Sequence, residues 1–222
     1  LRMRGRPKIV LARNYEEAMH LYNRYKKNVL GVITDVRYSR EGIVDPMAGI
    51  KLMSEIRKQD PFVPLILQSS ESGNEKFCAQ FDASFVDKNS KKMNVDLRDI
   101  VSDNFGFGDF VFRNPDTKEE VTRVRNLKEL QDLIFDIPTE SFLYHVQRNH
   151  ISRWLYSRAM FTLAEFLKQI SWDSLEDVNG HRQTIFEAIV KYRKMENRGV
   201  VAVFQRHRFD RYSHFARIGE GS

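Results

Sequence analysis

Cysteine is all but missing: Cys78 is the only one in 222 residues. That excludes an internal disulfide and a cysteine-based zinc site, so a reducing compartment, most simply the cytoplasm, is expected. No apolar run approaches the roughly 20 residues that cross a bilayer. The start of the chain is rich in arginine (Arg2, Arg4, Arg6) where a secretory signal would have an apolar stretch. No membrane partner is expected. Neither sign of charge dominates, with 36 Lys and Arg against 30 Asp and Glu. The net charge of +6 leans toward anionic partners but is spread along the chain rather than gathered into a block. There is no internal repeat and no low-complexity tract.

What is present is enough apolar material, 41% of the residues, to bury a core, and the length suits two modest domains. In the first half, short apolar runs alternate with helical patterns, the rhythm of a parallel sheet with crossover helices. Strands are expected at 8–12, 29–34, 63–68 and 83–87, and helices at 15–27, 47–58, 74–81 and 95–102, with Asn14 as an N-cap. Gly106 and Gly108 interrupt the rhythm and mark a boundary. A hairpin over 109–113 and 120–125 should turn at Asn114-Pro115-Asp116-Thr117. Helices follow at 127–135, 139–147, 151–170 (with an interruption) and 181–195, then one more strand at 200–204. The expected organisation is residues 1–104 as an α/β domain, 105–125 as a hairpin linker, and 126–222 as a mainly helical domain ending in a connector.

Chemistry concentrates at the strand ends. Asp35, Ser69 and Lys88 each stand just past or at the end of an expected buried strand. In a parallel sheet those ends share one edge, where ligands bind. A carboxylate there can act as a nucleophile toward a phosphoryl donor. A hydroxyl and an ammonium would supply a hydrogen bond and a compensating charge to the transferred group. Taken singly, Asp35 reads as a capping residue, Ser69 as a turn former and Lys88 as a solvated lysine; the order and spacing of the three favour the site.

The same segments carry a family resemblance. Leu30-Gly31-Val32-Ile33-Thr34-Asp35 resembles the strand that ends in the phosphoacceptor of response-regulator receiver domains. Leu65 to Ser70 is similar to the strand ending in a hydroxyl and a small residue, and Ala83 to Lys88 to the last strand with its aromatic switch and lysine. The resemblance spans about residues 8–103 and implies a receiver-like (flavodoxin-like) doubly wound parallel sheet. By the same resemblance Asp35 is the phosphoacceptor, Phe85 the switch, and Asp35 with the backbone carbonyl of Arg37 part of a Mg2+ site; a histidine kinase is implied as phosphodonor and a homodimer as the assembly. The chain departs from the family in three ways. The acidic pair and the first strand are missing before Leu1, residues 38–45 are inserted after Asp35, and Asn89 replaces the usual proline. A sheet with its central strand missing leaves backbone groups unpaired, so upstream residues or another chain are expected to complete it.

Residues 137–154 and Phe215 to Ser222 resemble the regulatory N-terminal part of proteins related to phosphoenolpyruvate synthase and pyruvate phosphate dikinase. That implies a downstream catalytic domain using ATP and pyruvate, with no ATP site in this chain alone. The interleaved Phe204, Arg206, Arg208, Phe209, Arg211, Tyr212, Phe215 and Arg217 could stack bases and meet phosphates; a connector is favoured over nucleic-acid binding. A stand-alone response regulator with a helical output domain and a non-phosphorylated scaffold both remain open. His145 and His150, five apart, diverge on a continuous helix and read as packing residues around Trp154 and Leu155, while Cys78 reads as a small buried apolar residue.

Overall fold

The computed structural model describes residues 8–172 and 177–201, with side chains up to 195. The arginines before residue 8 and the aromatic and arginine stretch from Phe204 onward lie outside the described residues.

The first unit is α/β. Strands β1 (Val32–Asp35), β4 (Leu65–Ser69) and β5 (Ser84–Asp87) form a parallel sheet in the order β1-β4-β5. Central strand β4 is apolar on both faces, and Leu65, Ile66 and Leu67 are all buried, as a strand covered on two sides requires. Leu65 and Leu67 face α1 (Tyr15–Tyr25) and α2 (Ala48–Gln59), packing with Tyr22, Met53 and Ile56, while Ile66 faces the other way toward Val86, Phe105 and α4 (Met93–Asn104). A short 3-10 helix, Ser72–Phe77, and α3 (Cys78–Phe81) lie on the α1/α2 side, with Cys78 buried there. Helix α1 begins as expected: the Asn14 side chain accepts from the Glu17 amide at 2.8 Å, and Glu17 accepts in return from the Arg13 amide at 2.8 Å.

Residues 8–12 differ from expectation and form no strand. Ile9 is 90% exposed and Leu11 79%. A strand exists only by pairing its backbone, and the edge of β1 away from β4 has no strand partner among the described residues. Ile33 on that edge is 44% exposed, and residues 8–12 do not pair directly with β1.

The inserted segment is a hairpin, β2 (Tyr38–Arg40) and β3 (Ile43–Asp45). Its turn, Glu41-Gly42, has φ of 52° and 78°, the left-handed pair that matches the twist of two flanking strands. Tyr38 folds back onto the α1/α2 core.

At the boundary, Gly106 (φ 80°) passes so close to the helical unit that a Cβ would stand 2.9 Å from Cα of Trp154. The hairpin that follows, β6 (Phe110–Arg113) and β7 (Glu120–Val124), turns through Asn114, whose side chain accepts from the amides of Asp116 (2.8 Å) and Thr117 (3.1 Å). Helices α5 (Leu127–Leu133), α6 (Thr139–Gln147), α7 (His150–Ser157), α8 (Phe161–Lys168) and α9 (Val178–Val201) complete the chain as described. Phe110, Phe112 and Val124 of the hairpin share one core with Phe142, Trp154, Leu155 and Ile185 of the helices. Val200 and Val201, expected to start a strand, continue α9 instead.

Candidate functional site

The parallel register sets Asp35 beside Gln68 and Ser69 beside Asp87. Asp35, Ser69 and Lys88 therefore leave the sheet at the same edge. Lys88 continues directly from β5, and its amide donates to the Ser69 carbonyl at 2.8 Å. Its ammonium then reaches over the end of β4 to ion-pair with Oδ2 of Asp35. The other carboxylate oxygen, Oδ1, accepts from the Val36 amide at 2.7 Å. The pair is open to solvent, with the Asp35 side chain 43% and the Lys88 side chain 35% exposed.

Ser69 is buried, and its hydroxyl oxygen accepts from the Glu71 amide at 3.0 Å and from the Asn74 side-chain amide at 2.9 Å. A hydroxyl has two acceptor positions and one proton. With both acceptor positions filled, the proton is the part left to donate. Asn89 fixes the opposite wall: its side chain donates to the Ser70 carbonyl at 2.7 Å, and its amide donates to Asp87 at 2.8 Å.

Beneath Asp35, helix α2 begins almost in contact with the end of β1. The Gly49 amide donates to the Val36 carbonyl at 3.0 Å, and a Cβ on Gly49 would fall 1.9 Å from the Asp35 carbonyl oxygen. Only glycine permits that approach. Thr34 adds a brace: its hydroxyl lies 3.0 Å from the Asp35 carbonyl oxygen and 3.2 Å from the Tyr38 hydroxyl. Burial pushes the Tyr38 phenol up to about 12, so it stays protonated. Gly49, Asn74 and the Thr34–Tyr38 contact were not legible as parts of the site. A glycine three residues after a loop proline was the one available signal.

Phe85 is half-buried on the α1/α2 face of β5, beside Leu67 in the register. Arg37 is exposed between β1 and the hairpin. Among the described residues no three His, Cys, Asp or Glu side chains gather as a metal cage, and the Asp35 carboxylate is already engaged on both oxygens. Asp35 and the Arg37 carbonyl would supply two of the oxygens that a magnesium ion takes, with water and phosphate oxygens as the rest.

A second polar cluster lies in the helical unit. Asn149 adopts φ 56°, which ends α6 and starts α7 at a new angle. The turn brings His145 and His150 together, with Nδ1 of one 2.9 Å from Nδ1 of the other. His145 Nε2 accepts from the Arg113 amide at 2.9 Å. The two imidazoles hydrogen-bond inside a packed corner, with Trp154 and Leu155 buried in the same core. Compared with protein families, curated proteins and solved structures, the chain matches none.

Proposed function

We propose that the N-terminal unit is a receiver-like phosphoacceptor module in which Asp35 takes a phosphoryl group. The observation that supports it best is the ion pair from Lys88 to Asp35 across the end of β4, with the buried Ser69 hydroxyl on that strand. In the proposed step an Asp35 carboxylate oxygen attacks the phosphorus of a small acyl phosphate or a phosphohistidine. An acyl–phosphate bond forms, the bond from phosphorus to the donor breaks, and its electron pair leaves with the donor. The Lys88 ammonium passes from the carboxylate to the phosphoryl oxygens, and the Ser69 proton is donated to one of them. Gly49 and the Val36 amide hold Asp35 in place throughout.

The module then acts on its surroundings through the half-buried Phe85, which repacks as Lys88 changes partner. Its role is regulatory, and the resemblance noted above points to a downstream body that uses ATP and pyruvate to make phosphoenolpyruvate. A second reading, a scaffold without phosphorylation, is favoured by one observation: Ser69 already caps the Glu71 amide and holds Asn74, which a purely structural serine would also do. Acetyl phosphate with magnesium, given to the full-length natural protein, separates the two. Intact mass spectrometry should show one added phosphoryl group that is lost in Asp35→Asn; no such adduct leaves the scaffold.

A further inference from the structure

A cavity opens at the end of the sheet opposite Asp35. It lies where the turns leading into β1 and β4 meet α7 and the end of α8, so both units of the chain form its walls. Its volume is about 30 Å³. One water needs roughly 10–15 Å³ on that scale, so the space suits about two waters or one small oxyanion.

The lining is cationic. Lys27 comes from the turn before β1, Arg153 from α7 and Lys168 from α8, against one carboxylate, Asp60. Asp60 already accepts from the backbone amides of Phe62 (2.9 Å) and Val63 (3.0 Å). Among the described residues Lys27, Arg153 and Lys168 form no ion pair. Arg153 donates to the Phe62 carbonyl, a single neutral partner for a five-donor fork. Burial pushes its guanidinium down to about 10, against the opposing pull of Asp60.

Two further features point inward. Ser152 is only 4% exposed and lines the cavity, and its hydroxyl has no hydrogen-bond partner among the described residues. The hydroxyl is therefore free to donate into the cavity. Helix α7 starts at the same place, and its N-cap, Asn149, makes no side-chain bond to the first turn. The helix dipole there favours negative charge.

We propose that this cavity binds a small tetrahedral oxyanion of the phosphate type, clamped by Lys27, Arg153 and Lys168 and by the Ser152 hydroxyl. The anion accepts from the Ser152 hydroxyl, neutralises charge from both units and so ties the α/β unit to the helical unit. This site does not depend on the chemistry of Asp35 and lies at the other end of the strands.

Calorimetric titration of the full chain with inorganic phosphate, at fixed ionic strength set with chloride, tests the proposal. An Asp35→Asn, Lys88→Gln background removes the other oxyanion candidate. One saturable site is expected, weakened about tenfold or more by Lys168→Gln together with Lys27→Gln. Those lysines are not core residues, so the fold should survive. Ser152→Ala should weaken the site further without altering the chloride baseline. Acetate in place of phosphate should bind more weakly; tighter acetate binding would overturn the tetrahedral assignment. No phosphate binding in the background protein, or binding of equal strength after both lysines are replaced, would overturn the proposal.

Discussion

The Nδ1 atoms of His145 and His150 stand 2.9 Å apart inside the helical core. Because the Arg113 amide donates to His145 Nε2 at 2.9 Å, that nitrogen is an acceptor and His145 carries its proton on Nδ1. It donates to Nδ1 of His150, whose proton is then on Nε2. The arrangement works only while both rings are neutral.

Acid should therefore weaken the helical unit. Burial, followed by Arg113, Arg148 and Lys118, pushes His145 down to about 3. Burial, with Arg153, His145, Arg148 and Lys118 behind it, pushes His150 well below its ordinary value. Unfolded imidazoles take protons below about 6.5, whereas the folded ones do not. The stability is complete above about 6.5 and drains as pH falls below it, for His145 down to about 3. Urea unfolding at pH 7 and pH 5, above most of the carboxylate range, should show the lower midpoint at pH 5 and a smaller drop in His145→Gln. Equal midpoints at both pH values would refute the neutral pair.

Gly49→Ala tests how tightly α2 supports Asp35. Its Cβ would overlap the Asp35 carbonyl oxygen at 1.9 Å, and the helix must shift to relieve it. A loss of about 1–3 kcal/mol is expected from overpacking, measured by denaturant unfolding. An unchanged midpoint would mean that the helix start yields freely and does not position Asp35.

Arg158 should act as the clasp between the units. Its guanidinium donates to the carbonyls of Gly106 (2.9 Å) and Gly108 (2.7 Å) and lies 4.2 Å from the centre of the Trp154 ring. Replacement by Gln removes both charged bonds and the stacking, leaving the Gly106 carbonyl to the Ser157 hydroxyl and the Gly108 carbonyl to the Trp154 indole, at a cost of about 1–2 kcal/mol. Amide exchange at 105–109 should accelerate in Arg158→Gln; exchange as slow as in the natural protein would contradict this role.

Where a sequence signal carried its own partner, it was legible. Strand β4 showed itself by an apolar run covered on both faces, and the meeting of Asp35 with Lys88 followed from parallel strands ending at one edge. Residues 8–12 looked the same locally but have no strand beside them, and strand identity is a property of the pair. Val200 and Val201 fit a strand or the end of a helix equally by periodicity, and α9 runs through them. The histidines diverge on one helix, and only the left-handed Asn149 turns them face to face. The Asn74 contact to Ser69 depends on the 3-10 turn between them, which no residue pattern announced.

The species to detect is an acyl phosphate on Asp35. Borohydride reduces an aspartyl phosphate to homoserine, which marks the position permanently. After the full-length protein has been treated with acetyl phosphate and magnesium and then reduced, peptide sequencing by mass spectrometry should find homoserine at residue 35 and lose it in Lys88→Ala. Homoserine at another aspartate, or aspartate unchanged at 35, would contradict the account.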